Sequence, residues 1–216
     1  AYQYHVTHTL PWLDKGPRIL PGALVDTYAT AMRGFKGNFD TEYPLFIDIW
    51  PELVEQAKSD LNGAWKASDY PTLSKLRQKF YFTVAFLPLP DINDFRVTAS
   101  QNEIDRMKEE LSQHIQSVDS KIVKDLWNRL STLVSRIAES KSFHFDTIEA
   151  LRELIELLPA LNIPGDTDLE TMRQAVKDKF AGISPDDING PSGQKQRETL
   201  SSEAKELLEN MSSYLA

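Results

Sequence analysis

His5 and His8 are the first side chains whose type and spacing suggest chemistry, because imidazoles at i, i+3 can meet one metal ion when their segment is helical. No third ligand is placed beside them by sequence, and Thr7, Thr9 and Pro11 favour an extended run, so no metal is expected there. Glu149, Glu153 and Glu156 share one face of a helical stretch, where carboxylates could do acid and base work or hold a hard cation. They lie opposite Leu151 and Leu158 with Arg152 beside them, and a solvated helix face is the plainer reading.

Two further groups suggest binding. Trp12 and Arg18 flank the turn residues Asp14, Gly16 and Pro17, so Trp12, Asp14, Lys15 and Arg18 form a candidate partner-binding loop; Trp and Arg are favoured interface anchors. The competing reading is a turn that threads Trp12 into the helical core and pairs Asp14 with Lys15 or Arg18. Phe80, Phe82 and Phe86 could stack unpaired bases, with Lys75, Arg77, Lys79 and Arg96 placed for a phosphate backbone. An alternating aromatic row is more often buried against helices, so single-stranded DNA is the secondary expectation.

Enzyme signatures are missing from the chain. It has no Gly-x-Gly-x-x-Gly, no Gly-x-x-x-x-Gly-Lys-Ser/Thr and no Gly-x-Ser-x-Gly, and no βαβ alternation to carry the first two. Its 216 residues include no cysteine, which excludes disulfides, thiolate zinc sites and a cysteine nucleophile. The net charge of −8 is uneven: residues 1–100 hold 10 Lys+Arg against 11 Asp+Glu, and residues 101–216 hold 14 against 21. An acidic C-terminal half repels duplex DNA. No stretch approaches the roughly 20 apolar residues of a membrane span, and no cofactor is implied.

These groups must be positioned by elements legible in the apolar spacing. Leu24 to Phe39 recur at helical intervals and predict a helix over 22–39; Pro44 and Pro51 then predict a break, with a second helix from Pro51 to Trp65 and a short one ending near Lys79. Phe80 to Phe86 alternate at period 2 and predict a strand, paired through a turn with 95–97 as a β-hairpin. From Asn102 to Ser140 there is no proline or glycine. Ile104, Ile115, Leu126 and Ile137 are spaced by 11, as are Leu111, Ile122 and Leu133, which predicts one helix about 55 Å long with a continuous seam. The helices between 22 and 65 are the expected antiparallel cover, and leftover seam is expected to drive self-association. Further helices are predicted over 146–158, 167–180 and 196–214.

The segments His8-Thr9-Leu10-Pro11-Trp12-Leu13-Asp14-Lys15-Gly16 and Arg18-Ile19-Leu20-Pro21, with Pro88-Leu89-Pro90-Asp91, Asp94-Phe95-Arg96-Val97, Leu126-Trp127-Asn128-Arg129-Leu130 and Leu154 to Asn162, resemble a family of uncharacterised proteins of tailed bacteriophages and prophages. The resemblance spans about residues 5 to 182 and supplies no catalytic residue. It implies expression in the bacterial host cytoplasm. It also implies a further N-terminal region before the Leu-Pro-Trp-Leu motif, in keeping with an alanine at position 1.

The expectation is therefore a mainly α protein with an extended segment at 1–21, a long antiparallel helical hairpin with a β-hairpin near 80–97 over 22–141, and a C-terminal helical bundle at 142–216. It is expected to be non-enzymatic and to bind protein, either a second copy of itself or another phage or host factor.

Overall fold

The computed structural model describes residues 1–12, 16–89, 100–139, 145–180, 182–184 and 193–215. Among them the fold is mainly α, with seven α-helices and one small antiparallel sheet. The elements are α1 (Tyr2–Thr7), β1 (Leu10–Pro11), β2 (Arg18–Ile19), α2 (Val25–Leu61), α3 (Leu73–Lys79), α4 (Gln101–Glu139), α5 (Phe145–Leu161), α6 (Thr167–Phe180) and α7 (Gln194–Leu215). The chain forms two compact units. One is Asp26–Leu89 together with Ala1, and the other is Tyr2–Val25 with Pro90–Ala216. These limits differ from the expected boundaries at 21 and 141.

In the larger unit α4 is the spine. Ser100 opens it by accepting from the Glu103 amide at 3.4 Å, and exposed pairs such as Glu103 with Arg106 follow along its surface. The antiparallel cover is α7: Ser201 Oγ donates to the Ala138 carbonyl at 2.7 Å, while Tyr214 stacks on Trp127 with ring centroids 4.3 Å apart. Helix α5, helix α6 and β1 close the remaining sides. The expected cover was the 22–65 helices; those residues instead build mostly the separate smaller unit.

Ile122, Leu126 and Ile137 of the expected seam are buried, and Leu133 is half-buried. The core row runs Val118, Ile122, Leu126, Leu130, Val134 and Ala138, a four-residue spacing that adds four side chains the 11-residue repeat passes over. Toward the N-terminus Ile104, Leu111 and Ile115 are only half-buried, so the dry part of the seam lies in the second half of α4.

Helix α5 passes through Pro159 to Leu161, and α6 starts immediately after a turn in which Gly165 takes φ 74°. Asp166 is its side-chain cap, accepting from the Leu169 amide at 2.8 Å. A small residue in the left-handed region followed by an Asp cap lets the two helices join within a few residues.

The smaller unit corrects three expectations. Helix α2 is continuous over 37 residues and carries Pro44 and Pro51 inside it. Both prolines are exposed and seven residues apart, so they share the outer side, where water can satisfy the carbonyls they leave free. Residues 80–86 form no strand, and their expected partner 95–97 lies outside the described residues. The small sheet is elsewhere, pairing Leu10 with Ile19 and Pro11 with Arg18.

The third correction is the mode in which the alternation of Phe80 to Phe86 is used. The rings face a helix: Phe80 meets Phe46 edge to face at 5.7 Å, Phe82 meets Phe39 at 6.1 Å and Phe86 meets Tyr28 at 6.1 Å. As the sequence advances from 80 to 86, the partner on α2 retreats from 46 to 28, so this strap runs antiparallel to the helix. Period-2 spacing reports one apolar face, and a helix buries such a face as well as a second strand does.

Candidate interaction surfaces

The N-terminal segment is the best-fixed polar feature of the larger unit. It begins in α1, against the expectation of an extended run, and the threonine hydroxyls that would compete with a helix bond back along it instead: Thr7 Oγ1 donates to the Gln3 carbonyl and Thr9 Oγ1 to the His5 carbonyl. His8 is buried, stacks on Tyr4 at 3.7 Å and directs Nδ1 to the Tyr4 carbonyl at 3.0 Å. Helical geometry is thus present at His5 and His8. Among the described residues, however, no group of three His, Asp or Glu side chains is placed to hold a metal.

Two guanidinium groups converge where this segment leaves α1. Arg18 Nη2 donates to the Thr9 carbonyl at 3.0 Å and its Nε to Thr9 Oγ1 at 2.7 Å. Arg129 of α4 donates through Nη2 to the same carbonyl at 2.8 Å and through Nη1 to the Thr7 carbonyl at 3.0 Å, and Asp125 lies 2.7 Å from it. Burial, then the nearby Arg129, lowers the Arg18 pKa from its ordinary value, with Asp125 opposing. Burial, then Arg18, likewise lowers the pKa of His5. Both causes favour the neutral imidazole.

Of the candidate recognition residues, Trp12 is half-buried, packs on the main core and meets His114 edge to face at 5.0 Å. Arg18 is turned inward onto Thr9. Asp14 and Lys15 lie outside the described residues. Sequence reasoning missed Arg129; its signal was an arginine lodged between Leu126 and Leu130 on a core-facing helix, a place that needs a buried acceptor.

The three helix-face carboxylates do not converge. Glu149 pairs with Arg152, Glu153 lies 3.9 Å from His8 Nε2, and Glu156 lies 3.4 Å from Lys177. Each serves a separate surface contact, which is the arrangement of a solvated helix face.

In the smaller unit Lys75, Arg77 and Lys79 are exposed on α3, whose Leu76 is buried. That helix is tied to α2 by Tyr43 Oη, which donates to the Arg77 carbonyl at 3.1 Å, and the preceding turn by Trp50 Nε1, which donates to the Pro71 carbonyl at 3.2 Å. Phe82 is half-buried on Phe39, so this ring of the expected stacking platform is engaged by the protein. Arg96 lies outside the described residues. Phe80 and Phe86, though they meet rings of α2, stay 44% and 57% exposed, and Tyr81, Leu87 and Leu89 are exposed as well.

No described helix is long and apolar enough to cross a membrane. Compared with known protein families, characterised proteins and solved structures, the chain matches none of them.

Proposed function

We propose that this chain is a non-enzymatic, phage-encoded protein that acts by binding protein, and that residues 26–89 are the binding module. One contrast carries the reading. Among the described residues the larger unit buries a continuous core of 24 hydrophobic side chains, whereas the smaller one buries only Tyr28, Met32, Ile47 and Leu76. The smaller unit nevertheless leaves Leu45, Ile49, Leu53, Tyr81, Leu87 and Leu89 exposed. Exposed apolar side chains on a sparsely cored unit are what a protein partner covers. The resemblance to tailed-phage proteins supports the setting, and the engagement of Phe82 with Phe39 argues against the single-stranded DNA alternative.

Photo-crosslinking in infected bacterial cells tests the reading. A benzoylphenylalanine side chain is placed at position 45 or 87, with position 163, exposed in the larger unit, as the control. Protein adducts at 45 and 87 and none at 163 are expected. Nucleic-acid adducts at 87, or no protein adduct at either module position, contradict it.

A further inference from the structure

The strap from Phe80 to Leu89 is held to α2 by side chains alone. Phe80 meets Phe46 and Phe86 meets Tyr28, positions about 27 Å apart along the helix axis. Six residues reach at most about 21 Å, so the strap is close to fully extended and the rings span the rest. From Tyr81 to Leu89 no backbone N–H or carbonyl has a hydrogen-bond partner among the described residues. The outward side chains are bare too: Tyr81 is 81% and Leu87 71% exposed, and Thr83 and Ala85 are exposed between them.

Such a segment is an unpaired strand edge. Aromatic and β-branched residues favour the extended state, and open edges in proteins are ordinarily blunted by a charge, a proline or a bulge. Phe80 to Leu87 contains no charge, proline or glycine; Lys79 and Pro88 bracket it. Water can serve the open backbone. A second strand serves it equally and also covers Phe80 and Phe86, which α2 covers only in part.

We propose that the strap pairs antiparallel with the strap of a second copy of the chain, with the two-fold axis at Thr83. A two-fold pair sets even-numbered residues opposite even-numbered ones, so both rows of rings stay on the α2 side. Phe80 then lies opposite Phe86, Phe82 opposite Val84, Tyr81 opposite Ala85 and Thr83 opposite itself. Ring on ring, ring on β-branched and Thr on Thr are cross-strand pairs that stabilise a ladder. In this register Lys79 falls opposite Leu87 and meets no second cation, whereas an axis at Val84 would set Pro88, which has no N–H, opposite Phe80. The segment is its own counterpart when read in reverse, a property that a second copy requires and another partner does not. The two α2 helices lie on one side of the ribbon, each displaced outward, since helices pack about 8 to 10 Å apart and strands about 4.8 Å. The inference rests on the reading of 26–89 as a protein-binding module and names its occupant.

Sedimentation velocity of the full chain from about 1 to about 100 µM tests the pairing, since one short ladder sits at the weak end of specific association. The wild type is expected to dimerise reversibly. Thr83→Lys sets two ammonium groups face to face and should weaken the dimer about fivefold or more, whereas Thr83→Val should keep it, with the far-UV signal unchanged in both. The chain has no cysteine, so introduced ones report the register. Under mild oxidation Thr83→Cys should form a disulfide dimer by itself. Tyr81→Cys and Ala85→Cys should crosslink when mixed and not alone, each being about 14 Å from its own counterpart. A wild type that stays monomeric throughout, a dimer indifferent to Thr83→Lys, or a cysteine mixture that crosslinks no better than its components overturns the inference. If Thr83→Lys disturbs the fold, the cysteine mixture decides alone. A monomer that still gives adducts with another protein from position 87 removes the second copy and leaves the protein-binding reading standing; a monomer with no protein adduct removes both.

Discussion

Arg129 donates to the carbonyl of Thr9, 120 positions earlier in the chain, at 2.8 Å, and Arg18 donates to that same carbonyl at 3.0 Å. This pair of contacts fixes the N-terminal segment to α4 and delivers Leu10 to the core, where it is fully buried. Arg129→Ala is expected to cost about 1.5 to 3 kcal/mol, the range for hydrogen bonds from a charged donor. Lysine at 129 should not restore it, because one ammonium cannot span two carbonyls as the planar fork does. Denaturant unfolding of the three proteins checks both statements.

The same cluster gives the segment a pH dependence. The folded protein holds the His5 pKa below its ordinary value of about 6.5, so between the two values the unfolded segment binds more protons than the folded one. Stability then rises with pH across that interval and is lost as pH falls through about 6.5 toward the folded value. His5→Gln should flatten this part of the stability profile, which denaturant titrations at stepped pH measure directly.

Trp127 offers a test of the α4 and α7 pairing. It is buried against Tyr214, and its Nε1 has no hydrogen-bond partner among the described residues. Trp127→Ala should cost about 3 to 5 kcal/mol, whereas Trp127→Phe removes the unpaired N–H and should cost under about 1.5 kcal/mol. Leu126→Ala, at the centre of the dry row, should cost about 2 to 5 kcal/mol, and Leu111→Ala, half-buried, markedly less. Thermal midpoints of the four variants give the order.

The elements were legible in the sequence to the extent that local chemistry decides them. The proline-free run after Asn102 is one helix, and the spacing from Leu169 to Phe180 marks α6 closely. What covers α4 was not legible, since an apolar stripe states that it must be buried and does not name its partner; α7 and the 22–65 helices both offered suitable stripes. Phe80 to Phe86 failed for a related reason, because alternation specifies a face and leaves open whether a strand or a helix receives it. Pro44 and Pro51 were read as breaks, but their exposure on one side of α2 lets the helix continue. In the candidate surfaces the sequence offers Trp12 and Arg18 as anchors of a recognition loop; the structure packs Trp12 on the core and turns Arg18 onto Thr9, a carbonyl it shares with Arg129 far along the chain.

Glycine replacements in α2 test the intrinsic stability of that helix. Each mid-helix glycine costs about 1 kcal/mol relative to alanine, and the added methyl at Gly34 or Gly37 meets no atom of this chain. Gly34→Ala and Gly37→Ala should therefore each stabilise the 26–89 unit by up to about 1 kcal/mol, read from the midpoint of helix loss.

The central claim is that residues 26–89 lack a self-sufficient core and rely on protein to cover them, and amide hydrogen exchange of the full chain tests this most directly. The amides of α2 should exchange on the order of a hundredfold faster than those from Val118 to Ala138. Equal protection of the two regions would contradict the account.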